Sequence, residues 1–127
     1  IVIVGSIGGQ FVAEDQPLSY HVAKAGLNHM VAYYAHVLGP RGIRVNAVSP
    51  SAVMKEESRD YYERNTPLLK MYEKIVPLGR IGTSEDIANV IAFLCSPKAS
   101  FITGQNIVVD GGVSLQSQES LARKLLM

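Results

Sequence analysis

The chain has 127 residues, which is enough for one domain at most. Hydrophobic residues make up 47% and charged residues 18%, the net charge is +1, and the basic residues are scattered, which argues against disorder and against a nucleic-acid or membrane surface. No apolar run reaches the roughly 18 residues of a membrane span, so we expect a soluble, cytoplasmic protein. The only cysteine, Cys95, excludes a disulfide framework and is predicted to be a buried, reduced thiol.

The first predicted elements are a strand and a long helix. The β-branched run Ile1–Val4 is typical of a buried strand, and because the chain opens directly on it we expect that sequence precedes it. A helix is predicted over 18–38, ended by Gly39 and Pro40. Its inner face is predicted from apolar residues at helical spacing, namely Leu27, Met30, Val31, Tyr34, Ala35 and Leu38.

A second strand, Ile43–Val48, is predicted next, ended by Pro50. Residues 54–76 then carry five acidic and five basic side chains with a proline in the middle. This composition predicts one or two short, mobile helices on the surface.

The last third of the chain contains three more predicted elements. Thr83 and Asp86 have the spacing of a capping box, which predicts the start of an amphipathic helix. A third strand is predicted over Asn106–Val109 and a short helix in the tail from Ser114. Alternating helices and apolar strands predict an α/β fold, a doubly wound parallel sheet of the Rossmann type, of which three strands form only half.

Tyr20 and Lys24 lie four residues apart, on one face of the predicted helix. A pair with this spacing is weak evidence alone, because an inward-facing aromatic and a salt-bridged lysine explain it equally well. A phenol normally ionises near ~10, and an ammonium group one helical turn away favours the phenolate. The pair can therefore form a tuned acid/base.

Other segments of the chain share a pattern with this pair. In chain order they are "IVIVGSIGG", "YHVAK", "GPRGIRVNAVSPSAV" and "PLGRIGTSEDIANVIAFLCSPKASFITGQNIVVDGG". Together they closely resemble the second, C-terminal half of the short-chain dehydrogenase/reductase domain, over residues 1 to about 113. The resemblance implies an NAD(P)-dependent oxidoreductase that interconverts a carbonyl and a secondary alcohol by hydride transfer.

The resemblance also implies roles for individual residues. Tyr20 would be the catalytic acid/base, Lys24 its partner and a ligand of the nicotinamide ribose, and Ser6 the hydroxyl that orients the carbonyl. Pro50, Ser51 and Val53 would lie in the loop that holds the nicotinamide. In that loop Ser51 stands where the family usually has glycine, and Lys55 where it has threonine.

Further expectations follow from the same resemblance. Segment 54–76 would be the substrate lid, and residues 114–127 an extension beyond the family's usual end. Helix 18–38 and the last strand would build the contacts of a homodimer or homotetramer. The glycine-rich pyrophosphate turn has no counterpart in this chain, so the choice between NAD and NADP cannot be read, nor can the substrate.

Two other classes of function stay open. The chain could be a non-catalytic remnant or an oligomerisation subunit, or the same Tyr–Lys pair could serve an epimerase or dehydratase. A metal site is not expected, since His29 and His36 would lie about 10 Å apart along a helix axis. These two histidines and His21 are expected at the surface or an interface.

Overall fold

The computed structural model describes all residues from 1 to 127. The strands are β1 (Val2–Val4), β2 (Asn46–Pro50), β3 (Val53–Met54), β4 (Gly82–Thr83) and β5 (Asn106–Val109). The helices are α1 (Leu18–Leu38), α2 (Arg59–Arg64), α3 (Thr66–Ile75), α4 (Ser84–Cys95) and α5 (Gln118–Leu126). No helix combines the length and the apolar character needed to cross a membrane.

The main sheet has three parallel strands in the order β1-β2-β5, with Ala47 of β2 opposite Ile3 of β1 and Val48 opposite Ile107 of β5. Consecutive residues of a strand point to opposite faces of the sheet. Ala47 packs in a cluster with Val31 of α1, whereas Val48 packs in a second cluster with residues of α4. Helices therefore cover both faces, which confirms the predicted doubly wound α/β arrangement.

The inner face of α1 is narrower than the predicted stripe. Val31 is 1% exposed and Ala35 is buried, but Met30 is 39% and Tyr34 42% exposed. The two exposed residues lie about 60–100° around the helix from Val31, so the sheet beneath does not reach them. Their exposure corrects the prediction that both belong to the core.

Strand β2 begins three residues later than predicted and includes Pro50. The backbone of Val45 is bonded outside the ladder, because its N–H donates to the Thr103 hydroxyl at 3.0 Å and its carbonyl accepts from Gly104 at 2.7 Å. Pro50 pairs with Val109 as the last residue of the strand, a position where a missing N–H is tolerated.

Segment 54–76 forms two short helices, as predicted, and neither α2 nor α3 contains a fully buried residue. The Asn65 side chain caps α3 by accepting from the N–H of Leu68 at 3.3 Å. The flanking strands β3 and β4, which pair in parallel, were not predicted. Two residues are too few to show a strand's periodicity.

The capping box of α4 is present as predicted. Thr83 Oγ1 accepts from the N–H of Asp86 at 3.3 Å, and Asp86 Oδ2 accepts from the N–H of Thr83 at 2.8 Å. The Arg80 guanidinium donates two hydrogen bonds, of 2.7 and 2.8 Å, to the same carboxylate. These bonds, with that from Arg80 as the largest cause, hold the pKa of Asp86 far below its usual range.

Cys95 is exposed, which contradicts the predicted buried thiol. It is the last residue of α4, and its neighbour Leu94, 1% exposed, is the one that faces the sheet. Adjacent residues on a helix point about 100° apart, and at the end of α4 the direction toward the sheet is that of Leu94.

The tail forms the predicted terminal helix, and α5 packs against α3. A second link joins the same two regions, because Gln116 Nε2 donates to the carbonyl oxygen of Ile75 at 2.6 Å. The end of the chain is therefore attached to segment 54–76 rather than free.

Candidate active site

Ser6 lies two residues after the end of β1 and is the N-cap of a single 3-10 turn over Ile7–Gly9. Its Oγ accepts a hydrogen bond from the N–H of Gly8 at 3.0 Å. A serine hydroxyl has one proton in addition to its acceptor positions. The turn therefore fixes the Ser6 oxygen and leaves its proton available to a ligand.

Tyr20 lies in the first turn of α1, where its N–H donates to the carbonyl oxygen of Pro17 at 3.0 Å. Its ring packs against the turn after β1. A Cβ atom added at Gly8 would lie 2.9 Å from Tyr20 Cε1 and 3.3 Å from Ser6 Oγ. Glycine at position 8 thus lets the tyrosine ring and the serine turn approach each other.

Lys24 lies one helical turn after Tyr20, with its Nζ 5.7 Å from the centroid of the tyrosine ring. The same Nζ donates to the carbonyl oxygen of Val4, the last residue of β1, at 3.2 Å. A Cβ atom at Gly9 would lie 2.9 Å from both the carbonyl carbon and oxygen of Lys24. The structure therefore brings the three predicted catalytic residues together at the carboxyl end of β1.

The predicted cofactor loop begins at the end of the neighbouring strand. Ser51 follows Pro50 and lines the same cavity as Ser6 and Tyr20. Val53 lies in β3, whose only ladder partner is β4, so one edge of β3 stays unpaired. Lys55 is exposed, and its N–H donates to Ser58 Oγ at 3.0 Å.

The cavity beside Ser6 and Tyr20 has a volume of about 410 Å³. A second part of its wall is formed by Tyr62 of α2 and Tyr72 of α3, whose rings meet edge to face with centroids 6.2 Å apart. Burial is the largest cause that raises the pKa of both tyrosines, and neighbouring tyrosines and the Asp15 carboxylate raise it further. Both lining phenols are therefore held in the neutral form.

Sequence reasoning missed several residues of this site. Asp15, Tyr62 and Tyr72 line the cavity, yet they come from a polar loop and from two charged surface helices that carry no motif. His21 was expected at the surface or an interface, but it is half-buried, and its Nδ1 lies 2.7 Å from the carbonyl oxygen of Gly8. Its position beside Tyr20 was the only signal.

Comparison with known proteins places this arrangement in a family. The family model described as enoyl-(acyl carrier protein) reductase matches residues 1–114. Among similar proteins, the isoepoxydon dehydrogenase of Penicillium expansum is 38% identical over 120 residues, covering 93% of this chain and 46% of that protein.

Solved structures agree with the sequence relatives. A Burkholderia thailandensis oxidoreductase of the short-chain dehydrogenase/reductase family superposes with a TM-score of 0.83 at 33% identity, covering 98% of this chain and 47% of that one. A Brucella melitensis 3-oxoacyl-[acyl-carrier protein] reductase with bound NAD has a TM-score of 0.74 at 29% identity, covering 88% and 39% of the respective chains.

The chain spans about half the length of the relatives it matches, which is consistent with the expected partial domain. The family match nevertheless extends over most of the chain, and it includes the turn with Ser6, the helix with Tyr20 and Lys24, and the last strand. The chain belongs to the short-chain dehydrogenase/reductase family.

Proposed function

We propose that the full-length protein is an NAD(P)-dependent oxidoreductase that interconverts a carbonyl compound and a secondary alcohol. The observation that carries this proposal is the geometry at the end of β1. Ser6 and Tyr20 line one cavity, and the Lys24 ammonium group lies 5.7 Å from the ring of Tyr20. The names of the relatives, which are dehydrogenases and reductases, support the same reaction class.

In carbonyl reduction Tyr20 donates its proton to the oxygen of the substrate as negative charge develops there. Ser6 donates a hydrogen bond to the same oxygen, because the bond from Gly8 uses only an acceptor position of its hydroxyl and leaves the proton free. Lys24 supplies the positive charge that favours the phenolate left behind. In alcohol oxidation Tyr20 takes the proton back.

A nicotinamide coenzyme, when bound, supplies or accepts the hydride. Lys24 fits such a group, because its ammonium has three donors and only one is engaged, with the carbonyl oxygen of Val4. We propose that Lys24 and Tyr20 face the ribose, with the loop of Pro50, Ser51 and Val53 beside the nicotinamide. The choice between NAD and NADP is not assigned to any residue of this chain.

We further propose that segment 54–76 is the substrate lid, since its residues Tyr62 and Tyr72 line the same cavity as Tyr20. The contact of α5 with α3 supports a role for the tail 114–127 in holding this lid in place. The exposed face of α1 with His29, Tyr33 and His36 supports a homodimer or homotetramer. A cytoplasmic location stays a prediction.

The other classes of function differ in their products. A dehydrogenase or reductase changes the oxidation state of the coenzyme once per turnover, whereas an epimerase or dehydratase leaves it unchanged overall. A remnant or oligomerisation subunit has no turnover at all. Product analysis alongside coenzyme absorbance separates the three.

The proposal is tested by Tyr20→Phe in the full-length protein, with Tyr34→Phe as a matched control on the exposed face of the same helix. Because a positioned acid/base contributes about 100-fold or more to the rate, we expect turnover to fall by at least that factor in the first variant only. Circular dichroism of both variants should match the wild type. A Tyr20→Phe protein that keeps over about a tenth of its activity contradicts the assignment.

A further inference from the structure

The residues that line the cavity beside Ser6 and Tyr20 include an acidic side chain but no basic one. Of the thirteen residues that line it, Asp15 is the only one with an acidic side chain, and no lysine, arginine or histidine is among them. Lys24, the nearest cation of the site, does not line the cavity: its Nζ binds the carbonyl oxygen of Val4 and lies 5.7 Å from the centroid of the Tyr20 ring. The residues that line the cavity therefore carry one negative charge and no positive one.

The Asp15 carboxylate is available to a ligand. It forms no ion pair with any basic side chain of the chain, and its one hydrogen bond comes from Gln16 Nε2, which donates to Oδ2 at 3.3 Å. Tyr62 and Tyr72 line the same cavity, and the Asp15 carboxylate helps to raise the pKa of both, after burial and a neighbouring tyrosine as the larger causes. The carboxylate and the two phenols therefore act on the same space.

The two tyrosines add to the preference for positive charge. The face of a neutral phenol ring carries negative electrostatic potential and attracts ammonium groups. The edge-to-face arrangement of Tyr62 and Tyr72 orients their ring planes 65° apart, so the two rings can approach a group in the cavity from two directions. An anionic group would lose its hydration there without gaining a cationic partner.

We propose that this cavity receives the end of the substrate remote from the reacting carbon, that this end carries a cationic group such as a protonated amine, and that Asp15 selects it. The inference rests on the proposed function, because it takes the reacting carbon to lie beside Ser6 and Tyr20. It goes beyond that function by naming the charge of the substrate and the residue that recognises this charge.

Three ketones of the same shape test the selection in the full-length protein: 4-(aminomethyl)acetophenone, 4-(hydroxymethyl)acetophenone and 4-acetylbenzoate, which are cationic, neutral and anionic. We expect kcat/KM to fall in that order. Asp15→Asn should reduce the ratio of the cationic to the neutral ketone by up to about five-fold, the upper value for an exposed charge pair. Glu14→Gln removes a neighbouring carboxylate that does not line the cavity and should leave the ratio unchanged.

Binding of the three corresponding alcohols to the Tyr20→Phe variant, measured by ligand-observed NMR, gives the same comparison without turnover. Tighter binding of the neutral or anionic alcohol, equal ratios in Asp15→Asn and Glu14→Gln, or no detectable binding of the cationic alcohol would overturn charge selection. Full turnover by Tyr20→Phe would instead overturn the proposed function. The two failures are therefore distinguishable.

Discussion

The two walls of the cavity are built in different ways. The wall with Ser6 and Tyr20 consists of a strand end and a helix, α1, which is anchored by the buried Val31 and Ala35. The wall from segment 54–76 consists of two short helices without one fully buried residue. Regions with few buried apolar contacts open at lower free energy than packed ones. The difference separates a fixed catalytic wall from an adaptable recognition wall.

This separation agrees with what each task requires. Proton transfer depends on the position of the acid/base to within a fraction of an ångström, so it belongs on the packed elements. Substrate recognition by Tyr62 and Tyr72 tolerates more movement. Substitutions on the first wall should therefore lower kcat, and substitutions on the second should raise KM.

The largest effect is expected from Gly9→Ala, because the new Cβ would lie 2.9 Å from the backbone of Lys24, where no flexible side chain can give way. We expect a loss of about 1–3 kcal/mol in unfolding free energy. Displacing Lys24 by even about 1 Å should also lower kcat by up to about 100-fold. Urea denaturation and steady-state kinetics measure the two effects.

Gly26→Ala is the matched control on α1, since a Cβ there meets nothing within 4 Å. Alanine is the better helix former, so this variant should gain up to about 1 kcal/mol and keep its activity. If Gly9→Ala and Gly26→Ala had equal unfolding free energies and equal kcat, the close approach of α1 to the Ser6 turn would contribute to neither quantity.

A smaller, kinetic effect is expected on the other wall. Tyr72→Ala removes one ring of the edge-to-face pair and should raise KM by about 3–10-fold, with kcat nearly unchanged. Tyr72→Phe keeps the ring and should stay close to the wild type with a neutral substrate. A Tyr72→Ala protein whose kcat falls while its KM holds would assign this residue to the chemistry and remove the distinction between the walls.

A substitution at a residue that does not line the cavity should change stability alone. Thr83→Ala removes the capping hydroxyl of α4 and should lower the unfolding free energy by about 1 kcal/mol without affecting kcat or KM. Ser84→Ala, on the exposed neighbour that forms no side-chain hydrogen bond, is its control. A change in KM in the Thr83 variant would show that α4 is coupled to the cavity.

The smallest effect is a pH dependence at the same helix end. The pKa of Asp86 is lower in the folded protein than in the unfolded chain, chiefly through its hydrogen bonds with Arg80. The stability from this pair is therefore complete above the unfolded value, about 3.9, and declines as pH falls toward the folded one. Asp86→Asn should flatten the acid limb of a stability–pH curve; an unchanged limb would argue against the pair.

The sequence predicted those parts of the fold and site that depend on local spacing. Tyr20 and Lys24 are one helical turn apart, and Thr83 and Asp86 have the spacing of a capping box. In each pair, the short separation in sequence determines the geometry. Asp15 and Tyr72 lie 57 residues apart and meet only through the tertiary fold. No local sequence pattern predicts that these two residues line one cavity.

The errors have similar physical causes. Cys95 was assigned to the core from its apolar surroundings and Tyr34 from its helical spacing, but burial depends on which direction around a helix the sheet occupies. The start of β2 was misplaced because the backbone of Val45 pairs with the loop around Thr103 instead of a strand. In both cases the decisive partner lies far away in sequence.

The central claim, that Tyr20 and Lys24 act as one acid/base pair, is tested most directly by the pH dependence of kcat/KM for carbonyl reduction in the wild type and in Lys24→Ala. An ammonium group favours the phenolate, so its removal should shift the basic limb of the profile to higher pH and weaken coenzyme binding. Lys70→Ala, on the exposed side of α3, should show neither change. A Lys24→Ala enzyme with the wild-type profile and the wild-type coenzyme affinity would contradict the account.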